Sequence, residues 1–261
     1  MKRRYAPKLN KKRYLMHADC VLYTVNGYAV RNSNQRDEEF GNFATYDEFP
    51  DCIGEREVWV SEKLALKECV FFAANALAYL AQVAAGAPNA AYDAGVAAER
   101  TLRESINGVA FRDGRPHKKV PDAIYLSEYV TLPDRKGAVS VRWVDGNLVR
   151  SYYKTDYTQG GHHYVYPWVP EQEIWVEDGV DHREIHLIVC HEYLERRLMR
   201  DADLQYNRAH GIASALEFDL RKGEGLTRLV AEGRKVAKPD LRRLADEAVY
   251  EFVNAHYRGE S

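Results

Sequence analysis

In the stretch IVCHEYLERRLM (Ile188–Met199), three side chains able to ligate a metal or move a proton fall within five residues: His191, Glu192 and Glu195. His191 and Glu195 are four apart, so a helix carries both on one face with Glu192 beside them. His210 follows 15 residues after Glu195. That spacing allows an antiparallel second helix to return it to the same face, and Glu217 lies two turns further along. An imidazole–carboxylate–imidazole set with a spare carboxylate suits one divalent cation: Zn²⁺, or Fe²⁺ or Mn²⁺ as a two-His, one-carboxylate arrangement. One coordination position is left for water, and Glu192 is the general base that takes its proton. Glu217 is then either a fourth ligand or the partner that orients His210. The bland alternative is a core histidine on a helix whose E-R-R run is a solvated face. Between the two stands a polar network of His191, His210, Glu195 and Glu217 with no metal.

Six of the nine histidines lie between residues 162 and 210. The stretch DYTQGGHHYVYPW (Asp156–Trp168) reads as a Gly- and Tyr-rich loop suited to a substrate wall. Gly160 and Gly161 permit close backbone approach, and His162 could reach the metal or polarise a bound carbonyl. His182 and His186 form an i, i+4 pair at the start of a helix, where solvation is the simpler expectation for His182.

These residues need elements to hold them, and the chain writes those elements twice. EREVWV (Glu55–Val60) matches EQEIWV (Glu171–Val176), VNGYAVR (Val25–Arg31) matches VDGNLVR (Val144–Arg150), and AYDAGVAAERTLR (Ala91–Arg103) lies over AHGIASALEFDLR (Ala209–Arg221). The offsets are 116, 119 and 118 residues, in the same order, as loop insertions in a duplicated unit produce. VNG and VDG between apolar runs predict type I′ hairpin turns. EVWV and EIWV predict strands. Helices are expected over Leu66–Ala85 and Asn89–Glu104, and again over Arg183–Arg200 and Leu204–Lys222. Pro239 opens a further amphipathic helix. The fold class is therefore α+β: internally duplicated hairpin–strand–helix–helix units packed as one pseudo-symmetric body, plus a C-terminal helix. Its divisions are a basic flexible arm at 1–13, a first repeat at 14–109, a second repeat at 110–222 and a C-terminal helical segment at 223–261.

Comparing the copies sharpens the candidate site. His191 lies over Asn75, Glu192 over Ala76, Glu195 over Tyr79 and His210 over Tyr92, while Glu217 meets Glu99 and Arg221 meets Arg103. The framework agrees and the chemically active positions do not. Copy one reads as a degenerate scaffold and copy two as the working site.

HEYLE, followed on a second helix by AH and then Glu217, resembles the zincin-type metallopeptidase pattern, in which H-E-x-x-H on one helix is completed by a ligand downstream. The resemblance spans His191–Glu217 and implies His191 as first ligand and Glu192 as general base. Glu195 stands where that family has its second histidine, a departure that bears on the metal and on peptide hydrolysis. The wider pattern, with YTQGGH and an H-E-x-x-E-R-x-x-M helix, is similar to phage and bacterial proteins of uncharacterised activity.

Composition sets the remaining expectations. The chain has 261 residues, 46% apolar and 29% charged, with a formal net charge of −2. No apolar run approaches the roughly 20 residues of a bilayer span, and the N-terminus has no signal-like apolar region. Cys20, Cys52, Cys69 and Cys190 form no CxxC pair, which favours a reduced, cytoplasmic setting (host cytoplasm or virion, if phage-encoded). Residues 1–13 carry seven Lys or Arg and no acid, a solvated arm or a contact for nucleic acid. The leading expectation is a metal-dependent hydrolase acting on a peptide or protein substrate. Its rival is a non-catalytic structural or interaction protein, such as a virion or assembly component.

Overall fold

Leu22, Val58 and Val60 are buried in one cluster with Phe72, Ala73 and Ala76, while Trp59, between Val58 and Val60, is buried in another with Val25, Phe40 and Ile53. That alternation is a strand with both faces covered, and it recurs in Ile174, Trp175 and Val176, all fully buried. In the computed structural model, which describes residues 11–17, 20–33, 40–108, 120–134 and 137–222, two units are built around these strands.

The first unit has strands β1 (Lys12–His17), β2 (Cys20–Val25), β3 (Phe43–Thr45) and β4 (Glu57–Ser61), and helices α1 (Gly27–Ser33), α2 (Ala65–Ala84) and α3 (Ala91–Asn107). Its sheet has the order β1-β2-β4-β3, with β2 and β4 parallel and the outer pairs antiparallel. The second half continues with β5 (Tyr125–Asp134), β6 (Gly137–Val144), α4 (Gly146–Tyr152), β7 (Gly160–His162), β8 (Glu173–Glu177), α5 (Ile185–Asp201) and α6 (Tyr206–Lys222). The second sheet repeats the order and sense, β5-β6-β8-β7 with β6 and β8 parallel. The fold is α+β, with two similar sheet–helix units.

Both WV segments are strands, and all four long helices begin and end within a few residues of their expected limits. The hairpin turns are displaced. VNG and VDG do not reverse the chain between strands; α1 and α4 begin at their glycines. The Asn26 side chain accepts a hydrogen bond from the Ala29 N–H at 2.9 Å, so it caps a helix. The antiparallel pairings fall one element earlier, β1 with β2 and β5 with β6.

The compact units do not follow the repeat boundaries. Gly146–Thr158 groups with the first unit, Met1–Asp113, and not with the second repeat. Its anchor is Arg150, fully buried, whose Nε donates to Glu68 Oε1 at 2.8 Å and Nη1 to the Tyr157 carbonyl at 2.7 Å. Arg103 donates to Glu68 at 2.8 Å, to Glu99 at 2.8 Å and to Asn147 at 2.9 Å, which completes the network.

The proposed arm also loses its end, since β1 starts at Lys12 and Lys11 pairs with Glu57 at 2.6 Å. Residues 1–10, the GEG stop and the helix expected from Pro239 lie outside the described residues.

In the second unit, α5 and α6 pack on the sheet through Leu132, Val141, Ile174, Ile188, Leu194, Leu216 and their neighbours. Burying each such side chain stabilises the fold by about 1.5–3 kcal/mol. Asp203, in left-handed conformation at φ 52°, lies in the turn between the two helices, a geometry Asp tolerates better than most residues. No described helix is long and apolar enough to cross a membrane.

Candidate metal centre

Helix α5 is buried from Leu187 through Arg196, so its polar side chains are enclosed together with its apolar ones. His191, Glu192 and Glu195 are 6%, 9% and 2% exposed. Burying three ionisable groups is costly unless they are paired or bind a cation, and α6 supplies the partners. His210 Nδ1 lies 2.7 Å from Glu195 Oε2 and 3.2 Å from His191 Nε2, and His191 Nε2 is 3.5 Å from Glu195 Oε2. Tetrahedral coordination with bonds of about 2.0–2.1 Å places donors roughly 3.3 Å apart. Two imidazole nitrogens and a carboxylate oxygen at 2.7–3.5 Å separations therefore fit a small divalent ion.

Glu217 is placed differently from either role expected of it. Its Oε2 faces the outer nitrogen of His191, Nδ1, at 3.2 Å, and its Oε1 accepts from Arg221 Nη2 at 2.6 Å. Arg221 also donates to the buried Glu184 at 2.6 Å. Glu217 thus faces the outer side of His191, and it is not in the group of donors formed by His191, Glu195 and His210. The reason is the antiparallel pairing: residues later in α6 meet residues earlier in α5.

The expected substrate loop is also corrected. Gly160, Gly161 and His162 form the short strand β7, buried at all three positions and paired with β8. A Cβ on Gly160 would stand 2.9 Å from Ile188 Cγ2 and 3.0 Å from both Cγ and Oε1 of Glu192, so the close approach expected of this glycine is toward Glu192. Gly161 is paired opposite Trp175. His162, fully buried, brings Nε2 to 3.0 Å from Glu195 Oε1, with its N–H off the hydrogen-bond line. His162, Glu192 and Glu195 form a second group of potential donors, mutually within 4.8 Å. The His182 side chain is 81% exposed, as expected of a solvated residue. The E-R-R run is not a solvated face: Arg196 is buried 3.1 Å from Asp134 and donates to the Glu171 carbonyl at 2.7 Å, and only Arg197 faces outward.

The electrostatics follow from this enclosure. Burial, then the neighbouring Glu195, pushes the Glu192 carboxyl up to about 8. Burial would raise Glu195 as well, but the close imidazoles of His162, His191 and His210 outweigh it and hold Glu195 well below the usual carboxylate range. Glu217 is likewise held low, because His191 and Arg221 outweigh its burial. For His191 burial favours the neutral ring, yet Glu195 and Glu217 raise it well above the ordinary histidine value. Burial depresses His162.

The first unit shows the same framework without the donors. Asn75, opposite His191 in the alignment of copies, donates to Glu99 at 2.7 Å, and Arg103 bridges Glu99 and Glu68 as Arg221 bridges Glu217 and Glu184. Phe43 pairs with Val60 as Gly160 pairs with Val176. Its ring stacks on Phe72 at 5.1 Å. Sequence reasoning missed the Glu184–Arg221 bridge, although the recurrence of Glu68 and Arg103 in copy one was the signal that could have found it. No family model matches the chain, and neither a curated protein nor a solved structure matches it.

Proposed function

We propose that the chain is a metal-dependent hydrolase of peptidase-like chemistry, with one divalent ion, Zn²⁺ foremost and Fe²⁺ or Mn²⁺ as alternatives, held by His191 Nε2, Glu195 Oε2 and His210 Nδ1. The convergence of these three donors from two helices carries the reading. The ion supplies a polarised water and a Lewis acid for the substrate carbonyl. With the ion bound, Glu192 would be the group placed to accept a proton from the nucleophilic water and to return it to the leaving amine. Its carboxyl, near 8 in the absence of a cation, is brought down by adjacent positive charge toward the neutral range a general base requires. His210 is the most exposed of the three donors.

A non-catalytic structural or interaction role has one observation in its favour: Glu195 and His210 already satisfy each other at 2.7 Å. The two readings separate on mutation. Glu192→Gln keeps the shape but accepts no proton, so it should retain metal while hydrolysis of a broad peptide pool falls about 10²–10⁴-fold. Glu195→Ala and His210→Ala should lose metal, and activity with it, whereas Tyr92→Ala should change neither. Equal metal content and equal activity in all four variants would end the hydrolase reading.

A further inference from the structure

Glu195 presents its two oxygens to different partners: Oε2 to His210 and His191, and Oε1 to His162 Nε2 at 3.0 Å. What His162 can do there depends on which of its nitrogens carries the proton. The main-chain N–H of Tyr164 donates to His162 Nδ1 at 3.2 Å. Nδ1 is therefore the acceptor, and the proton of the neutral ring sits on Nε2. A nitrogen that carries a proton has no lone pair for a cation. Metal-bound imidazoles show the reverse pattern, the outer nitrogen donating to a carboxylate or carbonyl. His191 approaches that pattern, with Nδ1 3.2 Å from Glu217 Oε2 and its N–H off the hydrogen-bond line. His162 does not.

We propose that His162 is a positioning residue and not a metal ligand: its Nε2–H holds Oε1 of Glu195 and leaves Oε2 for the ion. The inference rests on the metal centre proposed above. The N–H stands off the line to Oε1, and the terminal torsion of a glutamate is soft enough to bring the oxygen into line. The first unit supplies an independent argument. Thr45 occupies the strand position of His162, pairing with Val58 as His162 pairs with Ile174, and Tyr79 occupies the position of Glu195. Where the carboxylate is missing, so is the imidazole. A histidine serving only the packing of β7 would have no reason to change with Glu195.

The test is Zn²⁺ affinity and stoichiometry, by competition with a chromophoric chelator, for the full chain and for His162→Ala and His162→Gln, together with the visible spectrum of the Co²⁺ forms. Glutamine places an N–H close to the reach of imidazole Nε2. All three proteins should bind one ion with the same Co²⁺ band shape. Affinity should fall 10–100-fold in His162→Ala, the usual effect of losing an orienting partner, and return to near wild type in His162→Gln. Wild-type affinity in His162→Ala would make His162 a bystander. A His162→Gln as weak as His162→Ala, with an altered Co²⁺ band, would make it a ligand; either result overturns the inference and leaves the metal centre standing. If His162→Ala does not fold, the glutamine variant decides alone: unchanged affinity and spectrum support the inference, and a change in either overturns it. A wild-type chain that binds no Zn²⁺ would remove the centre and this inference together.

Discussion

Gly160 shows at the scale of one residue how closely β7 is drawn against α5. Alanine there would place its Cβ inside contact distance of Ile188 and of the Glu192 side chain. Relief requires the side chains of Ile188 and Glu192 to shift. We expect Gly160→Ala to cost about 1–3 kcal/mol in stability, the range for overpacking a filled core. Denaturant unfolding measures this, and an unchanged midpoint would mean the approach is looser than described. At this scale His191, Glu195 and His210 were legible in the sequence, because i, i+4 spacing and an antiparallel return are local geometry. The part played by His162 was not. It depends on β7 meeting α5, a packing that no spacing along the chain specifies. Glu217 was read as a fourth ligand or the partner of His210, and its nearness to His191 Nδ1, set by the register of α5 against α6, was not legible.

Among the elements, helices and central strands were legible from periodicity and β-branched content, whereas VNG and VDG were not read correctly. Asn-Gly serves a type I′ turn and a helix N-cap equally well by composition, and the choice is made by where the next strand pairs. The ion network that anchors α4 was equally hidden, since Glu68 and Arg150 are 82 residues apart. Burial would raise Glu68, but Arg150 and Arg103 outweigh it and hold its carboxyl below the ordinary value. A carboxylate lowered on folding contributes stability above its unfolded value, and that contribution is lost as pH falls through the folded one. The wild-type protein should therefore lose stability on acidification below the usual carboxylate range. Glu68→Gln leaves two buried guanidiniums short of their partner and should cost about 3–5 kcal/mol, with a flatter acid limb in thermal melts recorded across pH. A Glu68→Gln protein with wild-type stability at neutral pH would show that the network is not what seats Arg150.

For the molecule as a whole, the two halves of the chain share element order, strand order and strand sense, yet they differ at His162, His191, Glu192, Glu195 and His210. The framework pairs recur, Glu68–Arg103–Glu99 in one unit and Glu184–Arg221–Glu217 in the other. Among the described residues the groups of candidate donors lie in the second half of the chain, and the central claim is that His191, Glu195 and His210 hold a cation. The direct measurement is elemental analysis of the full chain, purified without chelator or histidine tag, beside Glu195→Ala prepared identically. If the set binds a cation, the wild-type chain carries about one divalent ion and the variant loses it, with metal uptake weakening at acid pH as protons compete for the imidazoles. A fully folded wild-type protein that carries no metal, and takes up none when Zn²⁺ is supplied, would contradict it.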